Sequence, residues 1–562
     1  MIEKLEKFGY KKVFYLLLAL WFVFNIFQAL LMDVISDEAY YGLWGKHLDW
    51  GYYDHPPMVA LLVKISSLLF NGNLGIRFMT LLLQPITLFV IWRTIDYEKP
   101  DVKKVITFFI ISASIVMFVA YGIITTPDVP LLFFTALFLL GYKRFLERED
   151  WTSVAILALS MAGLIYSKYQ AVLVIGLTVL SNFKLLKRYK FWLAGVVALL
   201  LLIPHILWQV SNGFPSFQYH LVVRSTDFKW VYFLEYLPNE LAVFNPFTLG
   251  AVVYLLIKYK PMDSFRRNLY FQIVGFIGFF WLTAFRGHVE PHWTIACSIP
   301  MIILLSEKCS TDNKLKNYTY KYILFSLLLV LVARIFLIID SPITRRIGYS
   351  GNEEKYRAIE TVAGNLPVIF TGSFQKSSLY SFIIGKEATV ISSLYSRQTQ
   401  FDVWKFEEKY HGKSAFIWGD YGAVSNDYSS GFTSFKGFVT DNLQTVNRME
   451  VVFDMDNKQL RAGDTVEIPY TIINKYDNSI DFNHPQFPVQ LCVAFVQGKE
   501  ITLSGTVLKE SISIIPSGDS VDGRLSFTVP NLAVGEYSCG LSLNTLFGPA
   551  LNSGFVTVLI KK

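Results

Sequence analysis

Residues 33 to 57 read D-V-I-S-D-E-A-Y-Y-G-L-W-G-K-H-L-D-W-G-Y-Y-D-H-P-P, and they follow directly on an apolar run at 13–32. That run gives about twenty mostly apolar positions, enough to cross roughly 30 Å of hydrocarbon as a helix. The loop after it sets Asp33, Asp37, Glu38, Asp49 and Asp54 against the single lysine Lys46. Carboxylates packed so densely at the edge of a bilayer are costly, so their presence points to chemistry. A cleaved leader is the competing reading of the first run. The run is longer than the apolar part of a signal peptide, and no A-x-A-like site precedes Asp33, so it is read as a retained first span.

Composition agrees with a membrane chain. Of the 562 residues, 53% are hydrophobic and 17% charged, with a mean hydropathy of +0.39. These values exclude an ordinary soluble protein. The net charge of +7 does not indicate a nucleic-acid face, because the basic residues gather in short loops between apolar runs. Lys4, Lys7, Lys11 and Lys12 precede the first span, which places the N-terminus in the cytoplasm and the acidic loop outside. Further apolar runs at 76–92, 105–123, 129–146, 152–167, 169–183, 191–209, 238–257, 269–286, 292–306 and 321–339 bring the total to about eleven spans. Assigned alternately, the basic loops at 93–104, 143–148, 184–190, 258–267 and 308–321 all fall in the cytoplasm. The apolar stretch 58–70 is too short to cross and is read as an interfacial or re-entrant helix on the outer face.

Beyond residue 339 no long apolar run remains. The expected organisation is a polytopic α-helical domain at 1–340, an extracytoplasmic α/β segment at 341–445 and an immunoglobulin-like β-sandwich at 446–562. The α/β segment has a helix-like stretch at 353–363 and strand-like runs at 367–371, 388–392 and 414–418. Seven alternating runs follow, at 451–455, 465–473, 489–496, 512–515, 524–529, 537–543 and 555–560. Cys492 and Cys539 fall on two of these and are candidates for a disulfide in an oxidising compartment.

The tracing gathers the membrane-associated polar residues on one side. Asp37, Glu38, Asp54, His55, Asp128, Lys168, His220, Arg224, Glu290 and His292 all fall at external span ends or in external loops. One carboxylate of the pair Asp37-Glu38 can take a proton from an attacking hydroxyl or amine while its neighbour holds the nucleophile or a cation. The plain alternative is that Ser36-Asp37-Glu38 caps a helix starting near Ala39. The prolines after His55 fix Asp54 and His55 at the entry of the next helix, where imidazole beside carboxylate suits phosphate when protonated or a metal when neutral. Asp128 in T-T-P-D-V-P is a cap or a cation ligand. Lys168, a cation between two apolar runs, requires an anion, and a lipid-linked phosphate would supply one.

The motifs D-E-A-Y-Y at 37–41, Y-D-H-P-P at 53–57, the Gly72 to Arg77 spacing G-x-x-x-x-R, T-P-D-V-P at 126–130, S-K-Y at 167–169 and E-P-H-W-T at 290–294 occur in this order along the chain. Over roughly residues 10 to 340 the chain resembles the GT-C superfamily of membrane glycosyltransferases, in the bacterial family 39 group related to protein O-mannosyltransferases and the aminoarabinose transferase of lipid A. The resemblance implies a multi-pass protein of the bacterial inner membrane with its active site outside. It implies inverting transfer of a sugar from a polyprenyl-phosphate donor to an envelope lipid, glycan or protein. By the same resemblance Asp37 is the general base and Glu38 an acceptor-binding partner. Asp54 with His220 would hold a divalent metal ion, and His55, Arg77, Asp128, Lys168, Tyr169, Arg224, Glu290 and His292 would line the substrate site. A transporter or flippase of lipid-linked saccharides is the competing class; a transporter is disfavoured because no internal repeat is visible and the polar residues sit at one face, not at mid-membrane, whereas a flippase or polymerase of envelope polysaccharide lies closer to this pattern.

Overall fold

In this computed structural model the described residues are 5–220, 229–261, 263–430, 433–455 and 458–562. The chain divides into two compact units, Met1–Asn352 and Glu353–Lys562.

The first unit is helical. Among the described residues, five helices are long and apolar enough to cross a bilayer: Tyr10–Leu31, Gly72–Thr94, Asp128–Glu147, Tyr189–Ser211 and Asn313–Phe336. Trp230–Phe244 and Pro246–Lys258 meet at 101° and together make up to a sixth. Phe24, Phe27, Leu30 and Leu31 of the first helix stay exposed, an apolar exterior that hydrocarbon accepts and water does not. Polar groups inside the bundle are paired instead. Gln84 Oε1 accepts from Trp21 Nε1 (2.7 Å) and Asn25 Nδ2 (2.8 Å), and its amide nitrogen donates to the Phe118 carbonyl. Gly122 makes room for this group, since a Cβ there would lie 1.5 Å from Gln84 Oε1.

The acidic loop is itself structured. Ser36–Lys46 forms a short helix, a turn carries residues 47–57, and Met58–Leu69 forms a helix of 12 residues, short of the length that a crossing needs. The turn is braced by Trp44 stacked on Tyr52, with ring centroids 4.2 Å apart and an interplanar angle of 3°.

The second unit carries two sheets. The helix expected at 353–363 is observed as Asn352–Ala363, and the three expected strands as Val368–Thr371, Ala388–Ile391 and Ala415–Trp418. These three are parallel, with Val368–Thr371 central, and Thr433–Thr440 and Asn426–Ser430 extend the sheet antiparallel. The following region is a β-sandwich by its pairing. Met449–Phe453, Thr465–Asn474, Ser520–Thr528 and the end of Glu500–Leu508 form one layer. The start of Glu500–Leu508 pairs into the other layer, with Gln490–Gln497, Gly535–Thr545, Val556–Lys561 and Gln459–Arg461. Both layers point into one core that includes Ile468, Ile472, Phe527, Val493, Leu541 and Val558.

The expected disulfide does not form; all four cysteines are free and buried. Cys492 lies opposite Ser542 and Cys539 opposite Phe495 on neighbouring antiparallel strands. Positions 492 and 495 differ by an odd number, so the two cysteines project from opposite faces of the sheet.

Candidate active site

Two neighbours in the Ser36–Lys46 helix have opposite surroundings. Successive helical residues diverge by about 100°, so Glu38 turns inward, fully buried, while Asp37 is half-buried. Glu38 Oε1 accepts from Arg77 Nε (2.8 Å) and the Thr125 amide (2.9 Å). Its Oε2 accepts from Arg77 Nη2 (2.5 Å) and the Ile35 amide (3.2 Å). Arg77, equally buried, gives its remaining N–H groups to the carbonyls of Ala29, Met32 and Asp33 at distances of 2.9, 2.7 and 2.7 Å. All five guanidinium hydrogens are thus engaged, and the orphan carbonyls at the end of the first helix find donors.

This geometry corrects two expectations. Glu38 has no free edge for an acceptor, and Arg77 has no free donor for a phosphate; together they clamp the Asp37 helix to the first span and to the Thr125 turn. The helix-capping alternative holds for Glu38, which receives the amide three residues before it.

Around Asp37 stand tyrosines. Burial first, and then the charges of Asp37, Asp54 and Asp128, hold the Tyr41 phenol well above its ordinary range. Tyr349 is raised by burial, then by Glu38 and Asp37. The phenol of Tyr121 lies in the field of Asp128, Asp37 and Glu290. Four carboxylates from separate parts of the chain therefore converge on Tyr41 and Tyr121.

Lys168 and Asp128 meet each other. The ammonium lies 2.7 and 2.9 Å from the two carboxylate oxygens, and both side chains are almost wholly buried. The anion expected from a lipid phosphate is supplied by the chain itself. Asp128 opens one helix and Lys168 follows the C-terminus of another, each at the end its charge suits.

His55 and His220 approach with ring centroids 6.3 Å apart, and Tyr169 packs on His220 at 5.6 Å. His220 Nε2 lies 3.0 Å from the main-chain carbonyl of Asp54, to which it donates. Tyr169 also reaches His205 Nε2 at 3.1 Å, and His205 Nδ1 lies 2.7 Å from the Trp50 carbonyl. A carbonyl only accepts, so Nδ1 carries the proton and Nε2 accepts from Tyr169. Glu290 pairs with His288 at 3.7 Å, and His292 packs on Tyr121 at 6.4 Å. Arg224 lies outside the described residues.

The divalent ion expected at Asp54 and His220 finds a poor donor set. The Nε2 of His220 is engaged by the Asp54 main-chain carbonyl, and no group of three or more His, Cys, Asp or Glu side chains suited to a metal occurs among the described residues. No chemical step is assigned to a metal.

Sequence reasoning missed His205, Tyr41, Tyr121 and Tyr349. The only available signal for His205 was a lone imidazole inside the apolar run 191–209, a costly residue that needs partners. It also missed the tie between Trp208 Nε1 and Asp49 Oδ2 (2.7 Å) that fixes the loop from the far side.

Comparison with known proteins agrees with this frame. Residues 54–208 match the family described as dolichyl-phosphate-mannose-protein mannosyltransferase. A lipid A galacturonosyltransferase of Rhizobium johnstonii is 26% identical over 193 residues, which is 32% of this chain and 39% of that protein. The chain therefore spans about two-fifths of that relative's length. ArnT from Cupriavidus metallidurans bound to undecaprenyl phosphate superposes with a TM-score of 0.58 at 14% identity, covering 75% of this chain and 97% of ArnT. The apo form of that protein gives 0.54 at 12% identity, over 76% and 96%. The chain is a multi-helix protein with the fold of the GT-C membrane glycosyltransferases. In fold its likeness is to ArnT, and over residues 54–208 its sequence is similar to the dolichyl-phosphate-mannose-protein mannosyltransferase family.

Proposed function

We propose that this protein transfers a sugar from a polyprenyl-phosphate donor to an envelope lipid, glycan or protein, with inversion at the anomeric carbon. The observation that carries the reading is the half-buried Asp37, held by the buried Glu38–Arg77 clamp beside Tyr41, on which Asp54 and Asp128 also act. The fold likeness to ArnT and the mannosyltransferase match supply the reaction class. In this reading Asp37 takes the proton of the acceptor hydroxyl or amine as that group attacks the anomeric carbon. The bond from that carbon to the phosphate oxygen breaks, its electron pair leaves with the polyprenyl phosphate, and the new bond forms on the opposite face. With Lys168 engaged by Asp128, the leaving phosphate is assigned to His55 and Arg224, and Tyr169 and His220 orient that edge.

The same proposal takes the bacterial inner membrane as location, about eleven crossings, and an extracytoplasmic site and C-terminal unit, supported by the distribution of Lys and Arg among the loops. Purified protein given a polyprenyl-phosphate sugar and an acceptor should release free polyprenyl phosphate. Asp37→Asn should lower that turnover by at least about a hundredfold while the protein stays folded. Unchanged turnover in this variant removes Asp37 as base.

A further inference from the structure

The second unit holds a polar pocket of about 120 Å³ where its α/β part meets the sandwich region. This is several times the volume that one water molecule needs. Two carboxylates face it, Asp402 and Glu407. Asp402 is largely committed: its Oδ2 accepts the Thr399 amide (2.6 Å), the Thr399 hydroxyl (3.1 Å) and the Ser392 hydroxyl (3.2 Å), and its own amide also bonds its carboxyl. Glu407 is 6% exposed, and among the described residues no other residue hydrogen-bonds its carboxyl. A buried polar group left without such a partner is costly unless something visits it.

We infer that this pocket binds one neutral pyranose unit of a glycan. Charge excludes the other small ligands. Arg448, ion-paired with Glu408, reaches into the same space and opposes a cation, and a third carboxylate is missing. The two acids oppose an anion. The lining offers both donors and acceptors, as a ring of hydroxyls requires. Asn447 donates to the Ser392 carbonyl (2.7 Å) and keeps its amide oxygen, and Gln398 adds a second amide to the lining. Leu551 supplies the one apolar surface, against which the C–H face of a sugar ring packs. Burial, opposed by its own amide and reinforced by Asp402 and Glu408, holds Glu407 up to about 7, so near neutrality its carboxyl both donates and accepts.

This inference goes beyond the transfer reaction and does not depend on it. The test is saturation-transfer NMR on the full chain in nanodiscs free of glycoside detergent, with the methyl pyranosides of glucose, galactose and mannose as probes. At least one should bind, with affinity lowered roughly tenfold or more by Ser393→Tyr, which fills the pocket, and by Glu407→Leu, which removes its unshared acid. Asp37→Asn should bind as the parent does. Ser393→Tyr should melt as the parent does, which separates a blocked pocket from a misfolded unit. Absence of binding by all three sugars, binding that survives both pocket variants, loss in Asp37→Asn alone, or calcium binding in place of sugar binding overturns the inference.

Discussion

Glu38→Gln separates a clamp from an acceptor ligand. The substitution preserves shape but removes the charge opposite Arg77 and turns an acceptor into an amide whose hydrogens face Arg77, Thr125 or Ile35, all donors. Both members of the pair are fully buried, with side-chain exposures of 0% and 0%. Breaking such a pair on one side costs about 3–5 kcal/mol, because an uncompensated charge stays inside. At about 1.4 kcal/mol per factor of ten, the folded-to-unfolded ratio falls by roughly a hundredfold to several thousandfold. The assay is the thermal loss of monodisperse protein in detergent, measured beside turnover. Glu38→Gln should lose thermal stability markedly, whereas Asp37→Asn should melt as the parent does and lose turnover alone. Glu38→Gln with Arg77→Gln should lose less than the sum of the single variants, since the second change removes the stranded charge. A Glu38→Gln protein that melts normally but fails in turnover would refute the clamp and restore Glu38 as an acceptor partner.

The Asp128–Lys168 pair predicts the same pattern: Lys168→Met should destabilise by about 3–5 kcal/mol, and adding Asp128→Leu should recover part of that loss, read by the same melt. Gly51→Ala should cut turnover with the fold retained, because its Cβ would lie 2.3 Å from Cε3 of Trp208, whose ring is tied to Asp49; parent-like activity would show that the loop adjusts freely. In the second unit burial and His484 pull His411 down to about 4. Its folded value lies below the unfolded one, so its contribution is present above about 6.5 and lost as pH falls toward 4. Glu407 runs the other way: held up to about 7, it loses stability as pH rises from about 4.5 to 7. Glu407→Gln should therefore gain stability over the parent increasingly across that window and evenly above it, and a flat difference in melting temperature between pH 4.5 and 7 would contradict the assignment.

How much was legible in the sequence follows from the range of the forces involved. The density of carboxylates at 33–54 singled out the loop that carries Asp37 and the buried Glu38, because a membrane edge penalises charge wherever the chain places it. Adjacency could not say which of Asp37 and Glu38 faces inward, since that depends on the helical phase and on Arg77, 39 residues away. Parity likewise decided Cys492 and Cys539 only once the strand register was known. The strand Glu500–Leu508 was not among the expected runs; in the fold Gly498 and Lys499 turn a hairpin, with Gln497 opposite Glu500.

The two buried ion pairs also narrow the chemistry. Glu38, Arg77, Asp128 and Lys168 were all read as substrate contacts, yet each has its charge satisfied by another member of the four. What they share is burial: each pair ties a helix end to another segment of the helical unit, so removing any one strands a buried charge as well as a contact. Loss of activity on mutating one of these four is therefore uninformative about substrate contact unless stability is measured beside it. The groups whose loss should change turnover and leave melting alone are Asp37 and, at the leaving-phosphate edge, His55. That separation is the measurable difference between the residues that build this site and those assigned to its reaction.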